Sequence, residues 1–170
     1  MRNIISLEII VSKIFEIRGK RVILDRDLAV MYGVPVKVLN QAVKRNLKRF
    51  PGDFMYQLTL QEVMNLKSQF VTSSWGGIRK LPYVFTQEGV AMLSSVLNSE
   101  RAIQVNIAIM RAFVKLRNIL SGRRELAFKL KELESMIEGH DSDIRDIFEA
   151  IRQLMGIPHE HSKIGGFAVR

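Results

Sequence analysis

Short apolar segments separated by glycines dominate the first half of the chain and predict short strands. Ile14, Phe15 and Ile17 precede Arg18-Gly19-Lys20, and Arg21-Val22-Ile23-Leu24 follow it, which predicts a β-hairpin with glycine at its bend. Residues 70–85 have the same arrangement, with apolar ends around Trp75-Gly76-Gly77. They predict a second hairpin.

Helical segments lie between these hairpins. Asp25 predicts the N-cap of a short helix, which Gly33 and Pro35 must end. Residues 36–49 predict a second helix of about 21 Å. Residues 54–58 predict a short strand before the chain becomes helical again.

Capping residues mark the later helices. Thr59 with Glu62 three positions on predicts a helix that opens with a capping box. Thr86 predicts the cap of another helix, and residues 98–100 open a long one. Helical spacing in the long helix is kept by Ile103, Ile107, Met110, Val114 and Arg117.

The C-terminal part has the most regular apolar pattern, with steps of four and three residues. Its members are Leu126, Leu130, Leu133, Ile137, His140, Ile144, Ile147, Ile151 and Leu154. Four heptads of a and d positions predict a coiled coil, with a dimer favoured. Two alternatives stay open: the stripe packs on its own body, or the helix bends into a hairpin at Gly139-His140-Asp141.

These patterns predict an α+β fold in three parts. Residues 1–122 form a small helix-turn-helix-like domain with short β-hairpins and a long helix. Ser121-Gly122 separates it from a coiled-coil oligomerisation helix, residues 123–155. Residues 156–170 form a flexible tail.

Charge separates the body of the chain from its C-terminal part. Residues 1–58 carry 11 Lys/Arg against 5 Asp/Glu, and residues 59–122 carry 7 against 3. Residues 123–170 are balanced, with 8 against 9. A positive body is typical of proteins that bind polyanions.

Several protein classes are excluded by composition. The chain has no cysteine, which excludes disulfides, zinc fingers and thiol catalysis. Glu8 and Lys13 interrupt the first apolar run, so it is not a signal peptide, and no segment is apolar enough to span a membrane. We therefore expect a cytoplasmic protein with no membrane contact.

Residues 24–50 match the spacing of a helix-turn-helix. Ala29 is small enough for two helices to cross closely, and Gly33 is free to take a positive φ at the turn. Leu39 and Ala42 occupy buried positions of the second helix. An apolar stripe of Leu39, Val43, Leu47 and Phe50 is expected to face the core.

The opposite side of the second helix carries cations and amides and no acid. We expect it to dock in the major groove, with cations on phosphates and amides on base edges. The candidate DNA-binding residues are Lys37, Asn40, Gln41, Lys44, Arg45, Lys48 and Arg49. A solvated basic face is the simpler alternative.

Both predicted hairpin tips are basic and resemble the wings that accompany such helices. The first holds Arg18, Lys20 and Arg21, and the second holds Arg79 and Lys80 beside Trp75. Plain soluble turns explain them equally well.

Four stretches together resemble the ORF-six N-terminal-domain family of phage and bacterial proteins, which is related to the KilA-N and Bro-N domains. They are IRGKRVILDRDLAVMYGV, LNQAVKRNLKRFPGDFMYQL, QFVTSSWGGIRKLPYVFTQEGVAMLSSVL and SERAIQVNIAIMRAF, within residues 12–118. The resemblance implies a DNA-binding domain of prophage and mobile-element regulators. It also implies DNA contacts for Lys44, Arg45 and Asn46, which stand in the KRN signature.

No enzymatic site emerges from the sequence. His159 and His161 are too weak a pair for a metal site, and Asp141, Asp143 and Asp146 lack the glycine and distal glutamate of a calcium loop. We expect no metal, no cofactor and no catalysis.

The leading hypothesis is an oligomeric transcription regulator that binds double-stranded DNA. The alternatives are an antirepressor-like protein that captures a partner through its heptads, and an RNA-binding protein in which Trp75 stacks on unpaired bases.

Overall fold

The computed structural model describes residues 5–69, 80–136 and 142–156. Within these ranges the chain is α+β, as predicted, with a four-stranded antiparallel sheet and seven α-helices. The described residues fall into two compact units that divide between Leu116 and Arg117. Among the described residues, no helix is long and apolar enough to cross a membrane.

The sheet belongs to the first unit and has the strand order β1-β2-β4-β3. Its strands are β1 (Phe15–Ile17), β2 (Lys20–Leu24), β3 (Met55–Gln57) and β4 (Tyr83–Thr86). The first predicted hairpin is confirmed, because Ile17 pairs with Lys20 across a two-residue bend. Arg18 and Gly19 both have positive φ, +55° and +71°, as tight turns between twisted strands require.

The segment predicted as the second hairpin, residues 70–85, is described only from residue 80 onward. Its later arm contains β4, and Val84 and Phe85 of that strand pair with β2 on one edge and with β3 on the other. Both edges of β4 are therefore occupied there by strands other than the proposed arm. Residues 70–79, which include that arm and Trp75, lie outside the described residues.

Three consecutive side chains of β2 are fully buried because the sheet is covered on both faces. Ile23 packs into a core shared with α-helices of the unit. Val22 and Leu24 point to the opposite face, where Val63 and Leu66 pack against them. The sequence of a strand that is buried on both faces is continuously apolar and does not alternate between apolar and polar residues.

The helices of the first unit surround this sheet. They are α1 (Leu7–Ser12), α2 (Asp25–Tyr32), α3 (Val36–Arg45), α4 (Leu60–Gln69), α5 (Gln87–Leu93) and the start of α6 (Glu100–Met136). The predicted capping box is confirmed: Thr59 N–H donates to Glu62, and Glu62 N–H donates to Thr59 Oγ1. Thr86 caps α5 through a hydrogen bond from Gly89 N–H, also as predicted.

Two predictions about the early helices are wrong. Leu24 is the N-cap of α2, and Asp25 is its first helical residue, with only 4% of its surface exposed. The second helix ends at Arg45, not at position 49, and a 3₁₀ turn, Leu47–Arg49, follows it. The tighter turn rotates Leu47 out of the expected apolar stripe, and its side chain is exposed.

The long helix differs from expectation in two ways. α6 runs through Ser121 and Gly122 without a break. Its buried side in the first unit is formed by Ala102, Val105, Asn106, Ile109, Ala112 and Phe113. The apolar residues whose spacing predicted this helix therefore do not form its buried side, because Ile103 and Val114 are exposed.

The second unit contains the end of α6 and helix α7 (Ser142–Met155). Arg152 forms an ion pair with Glu134 across the two helices. In one continuous helix these residues would lie about 27 Å apart, so α7 does not extend the axis of α6. The bend that the sequence left open at residues 139–141 lies outside the described residues.

Most heptad positions described in this unit are exposed. Leu130 is buried, whereas Leu126, Leu133, Ile147, Ile151 and Leu154 are exposed. The predicted tail lies outside the described residues apart from Gly156.

Candidate nucleic-acid interface

Helices α2 and α3 meet at a turn built on Gly33. Gly33 has φ +70°, in the left-handed region that the sequence predicted for it. Its N–H donates to the carbonyl of Val30, and Val34 N–H donates to the carbonyl of Ala29. These bonds end α2 sharply and place α3 directly after the turn.

One side of α3 anchors it to the domain. Leu39 and Val43 are buried, at 0% and 2% exposure, and both belong to the main hydrophobic core. The helix therefore has a fixed inner face, which determines the side chains that face outward.

The outward face of α3 and its 3₁₀ extension is basic. Its exposed polar members are Lys37, Gln41, Lys44, Arg45, Lys48 and Arg49. Arg49 donates to Ser95 Oγ at 2.9 Å. For the other five, no side-chain hydrogen bond or ion pair occurs among the residues the structure describes. Four cations and an amide are thus exposed without a neighbouring acid.

Asn40 occupies a different position from the one its residue type suggested. It is half-buried, and its Nδ2 donates to Asp25 Oδ2 at 2.9 Å. The same carboxylate oxygen accepts from Tyr83 N–H at 3.2 Å, and Oδ1 accepts from Arg26 N–H at 2.8 Å. Asn40 therefore joins α3 to α2 and β4 through the Asp25 carboxylate.

Asn46 also turns inward. Its Nδ2 donates to the carbonyl of Ala42 at 2.9 Å, and the residue is the C-cap of α3. The side chain ends the helix by satisfying one of its last carbonyls. Of the three residues in the KRN signature, Lys44 and Arg45 are exposed and Asn46 is not.

The first hairpin bend is not a free basic wing. Arg18 donates to both carboxylate oxygens of Glu62, at 2.6 and 2.9 Å, and its guanidinium lies 4.5 Å from the centre of the Tyr56 ring. This pairing raises the pKa of Arg18, and Arg18's hydrogen bonds lower the pKa of Glu62 to about 2. The charge of Arg18 is therefore paired with a carboxylate in the structure, and its predicted phosphate contact stays a prediction.

The other residues predicted for the hairpin tips have different environments in the structure. Lys20 Nζ donates to the carbonyl of Asp53 at 3.4 Å, and Arg21 is half-buried in β2 opposite Glu16. Lys80 is exposed, and Arg79 lies outside the described residues. Among the described residues, the structure thus brings together the cations of α3 but does not add Arg18, Lys20 or Arg21 of the first hairpin to them.

Comparison with known families identifies the domain that contains α3 and its basic surface. The family profile of the ORF6N domain matches residues 12–96. The chain belongs to the ORF6N family. This phage-associated domain covers β1 through α5, including α2, the Gly33 turn and α3. Searches of curated proteins and of solved structures found no match.

Outside the matched ORF6N range, one further cation belongs to the surface near the turn. Arg101, in the first turn of α6, donates from Nε to the carbonyl of Met31 at 3.1 Å. It was missed because this contact joins residues 70 positions apart. No local pattern in the sequence could have placed Arg101 at the end of α2.

The ORF6N domain shows no geometry for metal chemistry in the part of the chain that the structure describes. No group of three or more histidine, aspartate or glutamate side chains could hold an ion there. His159 and His161 lie outside that part.

Proposed function

We propose that this ORF6N protein binds double-stranded DNA through α3 and acts as a regulator of the phage or mobile-element type. The observation that carries the proposal is the outward face of α3: four exposed cations and Gln41, without acidic partners among the described residues, opposite the buried Leu39 and Val43. The family's phage association supports a regulatory role.

In this proposal α2, the Gly33 turn and α3 act as a helix-turn-helix, and α3 enters the major groove. Lys37, Lys44 and Lys48 neutralise phosphates, because a flexible ammonium suits a charge contact that needs no fixed plane. Gln41 and Arg45 are the candidates for base edges, since Gln pairs with adenine and Arg with guanine. The proposal assigns no catalytic step and no cofactor.

We also propose that the protein acts as an oligomer, with a dimer favoured, through its second unit. Leu126, Leu133, Ile147 and Leu154 are large apolar side chains that are all exposed in the single chain. Exposed apolar residues at heptad spacing are typical of helices that associate. A dimer would present two ORF6N domains to half-sites about 34–36 Å apart on one face of the duplex.

The DNA proposal is tested by selecting bound fragments from a random duplex library, followed by affinity measurements at several salt concentrations. If α3 meets phosphates, log affinity falls with log salt by about 0.9 per phosphate contact. A selected common sequence and a steep salt dependence are expected. An affinity for duplex that does not change with salt would contradict the electrostatic contact.

The same exposed apolar residues favour one alternative, an antirepressor-like protein that captures another protein through its second unit. The two functions differ in their response to substitutions, because capture depends on the apolar residues and not on α3. Competition with single-stranded RNA at fixed salt tests the RNA alternative. RNA outcompeting duplex would favour it over the proposed function.

A further inference from the structure

The side chain of Arg101 packs against the turn between α2 and α3, in the space left free because Gly33 has no side chain. A Cβ on Gly33 would lie 2.9 Å from Arg101 Nε and 3.2 Å from its Cζ. The guanidinium thus fills the space that any other residue at position 33 would need. Gly33 is required for this contact as well as for its positive φ of +70°.

The hydrogen bonding of Arg101 leaves most of its donors free. Nε–H donates to Met31 O, one of the last carbonyls of α2. A guanidinium has five N–H groups, so four remain on the two terminal nitrogens. Arg101 is exposed, and no carboxylate pairs with it among the described residues.

We infer that Arg101 is a DNA phosphate-binding residue that extends the basic surface of α3 across the Gly33 turn. This inference rests on the proposed DNA-binding function. α3 begins three residues after Gly33, so its first Cα lies within about 11 Å of the Gly33 Cα, against which the guanidinium packs. Phosphates that flank a helix in the major groove lie next to such a turn.

The anchoring at Met31 and Gly33 suits this role. A planar guanidinium binds a phosphate with two parallel hydrogen bonds, and its geometry must be held for both to form. The bond from Nε fixes the plane before DNA arrives, which reduces the side-chain entropy lost on binding. A phosphate contact does not depend on base identity, so Arg101 contributes to affinity for all duplexes alike.

The test compares two neutral substitutions on the same helix, Arg101→Gln and Arg111→Gln, in the full chain. Both residues are exposed on α6, and both changes remove one positive charge. We expect Arg101→Gln to weaken binding about tenfold for the selected duplex and for unrelated duplex. Its salt slope should fall by about 0.9, while Arg111→Gln keeps the wild-type slope.

A third variant, Arg101→Lys, separates charge from the hydrogen bond to Met31. Lysine keeps the charge but has no planar guanidinium for the Met31 carbonyl to hold in place. We expect its salt slope to remain near that of the wild type, with an affinity between those of the wild type and Arg101→Gln. Thermal unfolding of each variant shows how much the Met31 contact matters for stability.

Three outcomes would overturn the inference. If Arg101→Gln lowers the melting temperature but binds duplex with wild-type affinity and slope, Arg101 only caps α2. If the lysine and glutamine variants bind equally, its charge does not matter. If the wild type itself fails to bind duplex, the proposed function fails and the inference falls with it, a result distinct from the first two.

Discussion

Gly89 in α5 lies directly against the backbone of Phe54. A Cβ at this position would be 2.2 Å from the Phe54 carbonyl oxygen. That oxygen accepts from Thr86 N–H at 3.0 Å and from Thr86 Oγ1 at 3.2 Å, so it cannot shift without breaking the bonds that join β4 to the segment before β3. We predict that Gly89→Ala destabilises the protein by about 1–3 kcal/mol, measured by urea unfolding.

Gly122→Ala is the matched control for this substitution. A Cβ on Gly122 would meet no atom within 4 Å, and the residue lies in the middle of α6. Alanine should therefore stabilise the helix by about 0.5–1 kcal/mol. Equal free energies of unfolding for the two alanine variants would contradict the close packing at Gly89.

Glu62 predicts a pH dependence of stability. Its hydrogen bonds with Arg18, together with those to Thr59, hold its pKa near 2, below the ordinary value of 4.5. The folded state therefore binds this proton less readily than the unfolded state. The stabilisation is fully present above about pH 4.5 and is lost as the pH falls toward 2.

We predict that Glu62→Gln lowers the free energy of unfolding by about 1 kcal/mol at pH 7. The difference from the wild type should shrink between pH 4.5 and 2, because the wild-type carboxylate is protonated there. Urea unfolding across this pH range measures it. Glu132→Gln makes the same chemical change at an exposed glutamate of α6 and serves as the control.

At the scale of the element, α3 is defined by its two faces. Its inner face is fixed by Leu39 and Val43, and Asn40 links it to α2 and β4 through Asp25. Substitutions on the outer face should therefore change binding without unfolding the domain. This separation makes α3 a suitable element for charge reversal.

We predict that Lys44→Glu with Arg45→Glu flattens the salt dependence of duplex binding. If each residue meets one phosphate, the slope of log affinity against log salt should fall by about 1.8. The control is Arg123→Glu with Arg124→Glu, an adjacent pair of exposed arginines on α6. Parallel salt plots for the α3 variant and the wild type would exclude α3 as the DNA-contacting helix.

At the scale of the whole molecule, the exposed apolar residues of the second unit predict self-association. Leu126 and Leu133 lie on α6 at heptad spacing and are 52% and 50% exposed. We expect light scattering to show an oligomer for the full chain and a monomer for Leu126→Ser with Leu133→Ser. The monomeric variant should bind DNA much more weakly, because it engages one half-site only.

Phe128→Ser is the control for assembly. Phe128 is 70% exposed on the same helix but lies outside the heptad positions, so its loss should leave the oligomer intact. A monomeric wild type would contradict the assembly proposal and leave the DNA proposal untouched.

Local signals in the sequence were sufficient for much of the fold. The capping box at Thr59 and Glu62, the cap at Thr86 and the positive φ of Gly33 each depend on residues within a few positions of one another. The hairpin at Arg18-Gly19 is equally local. Such features are predictable because the steric and hydrogen-bonding requirements of a turn or helix end are met by neighbours in the chain.

Only the tertiary structure decided which polar side chains are available for a ligand. Arg18, Asn40 and Asn46 have the residue types of a DNA-binding surface, yet their donors are directed to Glu62, Asp25 and Ala42. Arg101 had no such signal, and packing placed it beside the turn. A guanidinium or amide binds a protein carboxylate or carbonyl as readily as it binds DNA, and chain folding alone determines which partner lies within reach.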